Sequence, residues 1–185
     1  MANDRTPDIG HGTAHNKPEA SEDFARAIRD FSGSELFRRT FEDGMAMVEE
    51  TAAYLDGPGR EASKTLPRRV ALAYAGESMR LTTRLMQVAS WLLVQRAILE
   101  GEMTPAQAAQ DKYRLGAREV CLAPPMEGIE VLPARLIELL ERSAQLYERV
   151  DRLDQMMYRP VAAALDGVSN QLSRLANAFP ARMES

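Results

Sequence analysis

SMRLTTRLMQVASWLLVQRAILE, Ser78 to Glu100, is the most apolar and most helix-like run in the chain, and its reading decides the fold. Leu81, Leu85, Val88, Leu92 and Leu99 alternate by four and three and fall on one side of a helix, with Gln95 as the polar member of that seam. Met79, Thr82, Met86, Ala89 and Leu93 form a second stripe about 100° away, since each lies one residue from a member of the first. Two stripes require two neighbouring elements. From Trp91 onward, Val94 and Ile98 add a third, so the last turns are apolar nearly all round. Such a surface is either core or a contact with another subunit, and Trp91, Val94 and Ile98 are expected to form a dimer interface. Gln95 and Arg96 interrupt a run already short of the roughly 20 apolar residues that cross a bilayer, which argues against a membrane span.

Outward from this helix, 185 residues suit one domain with tails. Hydrophobic residues make up 45% and charged residues 27%, as in a globular protein, while aromatics at 6% and ten Met point to Leu- and Met-packed helices. A net charge of -4 provides no global attraction to phosphate or anionic lipid, so neither nucleic acid nor a membrane is an expected partner. The one local basic side, Arg68, Arg69, Arg80 and Arg84, reads as a solvated face or as partners for Glu42, Glu49 and Glu50 of the preceding helix. A single cysteine, Cys121, excludes an intramolecular disulfide, and the polar string Met1 to Ala20 has no apolar core of a signal peptide. A cytoplasmic location is expected.

Residues 1–31 read as a mostly disordered extension, with a hint of amphipathic helix at Phe24, Ala27, Ile28 and Phe31. His11 and His15 are four apart, but no carboxylate or Cys completes a metal site and Gly12 opposes the helix. Ser32 with Glu35 has capping-box spacing and starts a helix whose buried line is Phe37, Phe41, Gly44, Val48, Thr51 and Leu55, ending at Asp56-Gly57-Pro58-Gly59. Gly44 suits a close helix approach. Pro67 suits the first turn of the long helix, and Thr104-Pro105-Ala106-Gln107 signals a further short one. Gly116 to Glu130, with Pro124, Pro125 and Gly128, reads as an irregular crossover that repositions the last helix. That helix has the cleanest pattern in the chain: Leu132, Leu136, Leu139, Ser143, Leu146, Val150, Leu153 and Met157 alternate four-three until Pro160 ends or kinks it. Beyond Pro160, Val161, Leu165, Val168, Leu172, Leu175 and Phe179 continue a helical stripe across Gly167, as a fourth helix or as a tethered segment that docks on a partner.

No catalytic constellation emerges. HExxH, GxSxG and Walker motifs are missing, Cys121 has no structured His to activate it, and the carboxylates lie mainly on outward faces. No cofactor, no metal and no enzymatic activity are therefore expected. The expected architecture is all-α: a three-helix bundle over 32–158 with a long central helix, dimeric, followed by a flexible or helical tail over 159–185.

MAMVEETAAYLDGPGR, Met45 to Arg60, followed by SMRLTTRLMQVASWLLVQRA, Ser78 to Ala97, resembles the bacterial family named for the regulator of CtrA degradation. The resemblance is strongest from about Phe37 to Gln110 and extends through the last long helix. It implies a three-helix domain that dimerises, a flexible C-terminal tail and an adaptor without catalytic activity. The implied partners are a second copy, a ClpXP protease primed by a response-regulator adaptor, CtrA-like cargo and a cyclic-di-GMP effector adaptor. The competing reading of the same residues is a helical dimeric scaffold that regulates the cell cycle without delivering cargo to a protease.

Overall fold

The computed structural model describes the backbone of residues 17–126 and 129–178, and the side chains of 22–126 and 129–158. Seven helices follow one another in these residues: α1 (Lys17–Ser32), α2 (Glu35–Asp56), α3 (Pro58–Lys64), α4 (Arg68–Leu99), α5 (Pro105–Ala108), α6 (Arg118–Cys121) and α7 (Ala134–Ala178). Short 3-10 turns occupy Asp111–Tyr113 and Ile129–Val131, and no strand occurs among the described residues. The protein is all-α.

α2, α4 and α7 carry the core, which is continuous from Phe37 and Met47 through Leu81, Leu85, Val88 and Leu92 to Leu136, Leu139, Leu146 and Val150. α2 opposes both of its neighbours, because Gly44 lies against Leu92 of α4 and Leu146 of α7, while Glu50 pairs with Arg135 and Arg142 nearer the start of α7. A β-carbon at Gly44 would stand 2.7 Å from Leu92 Cδ1, so glycine lets the two helices approach closely there. α4 and α7 run in the same direction: Arg84 bonds the Leu140 carbonyl, Trp91 bonds Asp154, and Gln95 bonds Tyr158. Parallel neighbours in a bundle need a long return connection, and residues 100–133 provide it.

The α7 seam packs as its spacing predicts, with Leu132 through Leu153 buried and Met157 half-buried. The capping box at Thr104 and Gln107 is present in full. Elsewhere the structure departs from the sequence reading. Ser32 does not cap α2; its hydroxyl donates to the Ile28 carbonyl inside α1, and Ser34 accepts the Phe37 N–H as the cap. The buried line of α2 is Phe37, Thr40, Gly44, Met47, Thr51 and Tyr54, rotated from the expected one so that Phe41, Val48 and Leu55 sit at its edge. α1 begins at Lys17, within the stretch assigned to the extension, and it packs because Ile28 is buried against Ile98, Ala108 and Tyr158. Residues 1–16, with His11 and His15, lie outside the described residues. Pro160 does not end α7, which continues to Ala178; a proline withholds one backbone donor and leaves the other hydrogen bonds of the ladder available.

Candidate interaction surfaces

The three residues expected at a dimer contact are spent inside the chain. Trp91 is 1% exposed, touches Phe31 edge-on at 6.2 Å between ring centres, and donates its indole N–H to Asp154 Oδ1 at 2.9 Å. Ile98 is 4% exposed in a cluster with Ile28, Ala108 and Tyr158, and Val94 packs at its edge. The third apolar stripe of α4 thus meets α1, α5 and α7, elements that a three-helix count omitted. An Ile98→Asp substitution would bury a carboxylate beside Tyr158 rather than split a dimer, and a loss of several kcal/mol in unfolding free energy is expected by chemical denaturation.

The opposite face of α4 is inverted. Glu77, Arg80 and Arg84 are the charged residues between Arg69 and Arg96, and all three turn inward, with side-chain exposures of 2% for Glu77 and 12% for Arg80. Leu72, Met79, Met86 and Leu93 turn outward and are 70%, 72%, 63% and 53% exposed. Their inward charges have a specific task, since the crossover from 100 to 133 lies along that flank and its backbone groups need partners. Arg84 Nε donates to the Cys121 carbonyl at 2.8 Å, and Arg80 Nη1 donates to the Ala123 and Pro124 carbonyls at 3.2 and 2.8 Å. Glu77 accepts the Met126 N–H at 2.7 Å, and Gln87 accepts the Gly116 N–H at 3.0 Å. Burial pushes the Arg84 pKa down, with neighbouring Arg80 acting the same way. It also pushes the Cys121 thiol up, so this cysteine is a buried structural side chain.

The basic side read from the sequence therefore divides in two. Arg80 and Arg84 hold the crossover, while Arg68 and Arg69 are exposed at the start of α4. The acids assigned to them pair elsewhere: Glu42 with Arg38, and Glu50 with Arg135 and Arg142. The Arg142 hydrogen bond holds the Glu50 carboxyl below the usual carboxylate range. A shallow depression of about 590 Å³, lined by Arg68, Arg69, Ala71, Leu72 and Ala75, opens at this end of the outward face.

What the sequence reading missed is the outward face itself. Met79, Met86 and Leu93 were placed in a second buried stripe, and Leu99 in the main seam, yet all four are exposed. The signal was the spacing of seven shared by Leu72, Met79, Met86 and Leu93. Leu72, Met79, Met86 and Leu93 thus form one exposed apolar face of α4.

Of the tail positions expected to dock, Val161, Leu165, Val168, Leu172 and Leu175 belong to the backbone of α7, and their side chains lie outside the described residues; Phe179 lies outside them altogether. No group of three or more His, Cys, Asp or Glu suited to a metal occurs among the described residues. No helix among them is long and apolar enough to cross a membrane.

Against known proteins, the family described as a protein of unknown function, DUF1465, matches residues 28–179. The crystal structure of RcdA from Caulobacter crescentus CB15 is 58% identical, over 70% of this chain and 97% of that one, with a TM-score of 0.58. The chain belongs to the RcdA family. No curated protein matches it. The likeness spans nearly all of the solved RcdA chain.

Proposed function

We propose that this member of the RcdA family is a non-enzymatic, homodimeric cytoplasmic adaptor in regulated proteolysis. It bridges a ClpXP protease, primed by a response-regulator adaptor, to cell-cycle regulator cargo of the CtrA type, and a cyclic-di-GMP effector adaptor extends the assembly to further cargo. The observation that supports this reading most is the 58% identity to RcdA of Caulobacter across 97% of that chain. The outward Leu and Met of α4 fit it, because an adaptor needs surface that is apolar enough to hold a partner.

The mechanism is proximity. Cargo tethered beside a protease by a short flexible link meets it at an effective concentration of up to about millimolar, without any change in the chemistry of cleavage. In a reconstituted reaction containing protease, response-regulator adaptor, effector and cargo, adding this protein is expected to raise the initial degradation rate several-fold. Equal rates with and without it, every other component being present, would overturn delivery and leave the scaffold reading, in which the dimer regulates without presenting cargo.

A further inference from the structure

α1 lies on the bundle as a ligand helix lies in a groove. Phe24, Ile28 and Phe31 are spaced four and three apart, which puts them on one face of the helix, and the charged residues from Glu22 to Asp30 are exposed. Ile28 is 1% exposed, packed with Ile98 of α4, Ala108 of α5 and Tyr158 of α7. Phe24 meets the Tyr158 ring edge-on at 6.1 Å between centres, and Phe31 stands edge-on to both Trp91 and Phe37. The groove under α1 is therefore drawn from three other elements, with Trp91, Val94, Ile98, Ala108 and Tyr158 along it.

The contact has no polar lock. Among the described residues no side chain of α1 bonds to another element: Arg26 pairs with Asp23, and Ser32 donates to the Ile28 carbonyl, both inside α1. α7, by contrast, is tied to α4 and to the crossover through Asp154 and Tyr158. Three apolar side chains thus carry the ordering of a 16-residue helix, and each ordered residue has a conformational-entropy cost. An element with so few buried contacts opens before the rest of the fold does. Gly33 and Ser34, two small residues, join it to α2, so α1 can swing out while the core of α2, α4 and α7 stays packed.

We propose that α1 is a displaceable strap over a helix-binding groove, and that the competing occupant is an amphipathic helix of a partner protein with large apolar side chains at i, i+4 and i+7. The seated α1 shows what the groove accepts: an aromatic ring against Tyr158, a branched aliphatic between Ile98 and Ala108, and an aromatic ring against Trp91. Helix-in-groove recognition reads this spacing. The polar atoms along the groove, the Trp91 indole N–H and the Tyr158 hydroxyl, are already engaged by Asp154 and Gln95, so selection is by shape and apolar area rather than by charge. The groove exists whether or not the protein delivers cargo to a protease.

While α1 is seated, a competing helix meets only the fraction of molecules whose groove is open, and its apparent affinity falls by that fraction. Native-state hydrogen exchange on the full chain is expected to find the α1 amides about 100-fold or more less protected than those of α4. A labelled synthetic peptide of residues 17–33 is expected to bind full-length F24A about ten-fold or more tighter than the wild type, because the variant raises the open fraction. The same peptide with both phenylalanines replaced by alanine is expected to lose that binding. α1 amides protected as well as those of α4 would overturn the strap. No gain in peptide affinity on F24A, or binding undiminished by loss of both phenylalanines, would overturn the groove as a helix site. A wild-type dimer that F24A dissociates, seen by light scattering, would seat α1 on a second copy and overturn a strap within one chain.

Discussion

Replacing Asp154 with alanine is expected to lower the unfolding free energy by about 3–5 kcal/mol, the usual cost of removing one partner from a buried charged pair. Asp154 is 3% exposed and serves two other elements at once. Its Oδ1 accepts the Trp91 indole N–H at 2.9 Å and Arg114 Nε at 2.8 Å, and its Oδ2 accepts Arg114 Nη2 at 2.7 Å. Without the carboxylate, α4 keeps a buried indole donor with no acceptor and the crossover keeps a mostly buried guanidinium with no counter-charge. Arg114 also stacks 4.6 Å above the Tyr158 ring, whose hydroxyl exchanges hydrogen bonds with Gln95, so the disturbance spreads to the last turn of the bundle. Urea denaturation and a melting temperature lower by roughly 10 °C would register it. An Asp154→Asn variant retains one acceptor without the charge and is expected to fall between the two. A change in D154A below about 1 kcal/mol would mean that water replaces the carboxylate and that the network does not hold the three elements together.

Ending the chain after Tyr158 is expected to abolish delivery of at least one class of cargo while leaving the melting temperature within about 2–3 °C of the full-length value. α7 continues for twenty residues beyond Tyr158, about 30 Å of helix. Tyr158 itself is buried against Phe24, Gln95 and Arg114, so the cut falls just after the last side chain that the described core uses. The segment past it contains Pro160, which cannot donate to the ladder, and Gly167, which weakens a helix by roughly 1 kcal/mol relative to alanine. A helix so interrupted gains stability from what its apolar stripe docks on rather than from propensity. We propose that the stripe Val161, Leu165, Val168, Leu172, Leu175 and Phe179 docks on a partner protein. Thermal unfolding of the truncated protein beside a pull-down of protease, adaptors and cargo decides it. A large fall in melting temperature with every partner still bound would make the segment a fourth core helix, because each buried leucine lost typically costs about 2–5 kcal/mol.

Sequence alone determined the elements whose signal is local. The α7 seam, the capping box at Thr104, the stop at Asp56-Gly57-Pro58 and the close approach at Gly44 each follow from spacing or backbone chemistry over a few residues, and the structure contains all four. Its resemblance to the RcdA family also rested on contiguous blocks, which no packing decision could alter. What only the tertiary structure decided is which face of α4 is inside. Periodicity shows that Leu81, Met79 and Trp91 lie on three different sides of one helix, but it carries no information on how many neighbours arrive. The answer depended on the crossover, whose carbonyls and N–H groups need Arg80, Arg84, Glu77 and Gln87 more than water does and so draw charged side chains toward the interior. With that flank committed to polar work and α1 covering Trp91 and Ile98, the stripe of Leu72, Met79, Met86 and Leu93 is left facing outward. An unpaired backbone group buried in a crossover costs about as much as a lost hydrogen bond, a term set by partners far apart in the chain and therefore invisible in any window of sequence.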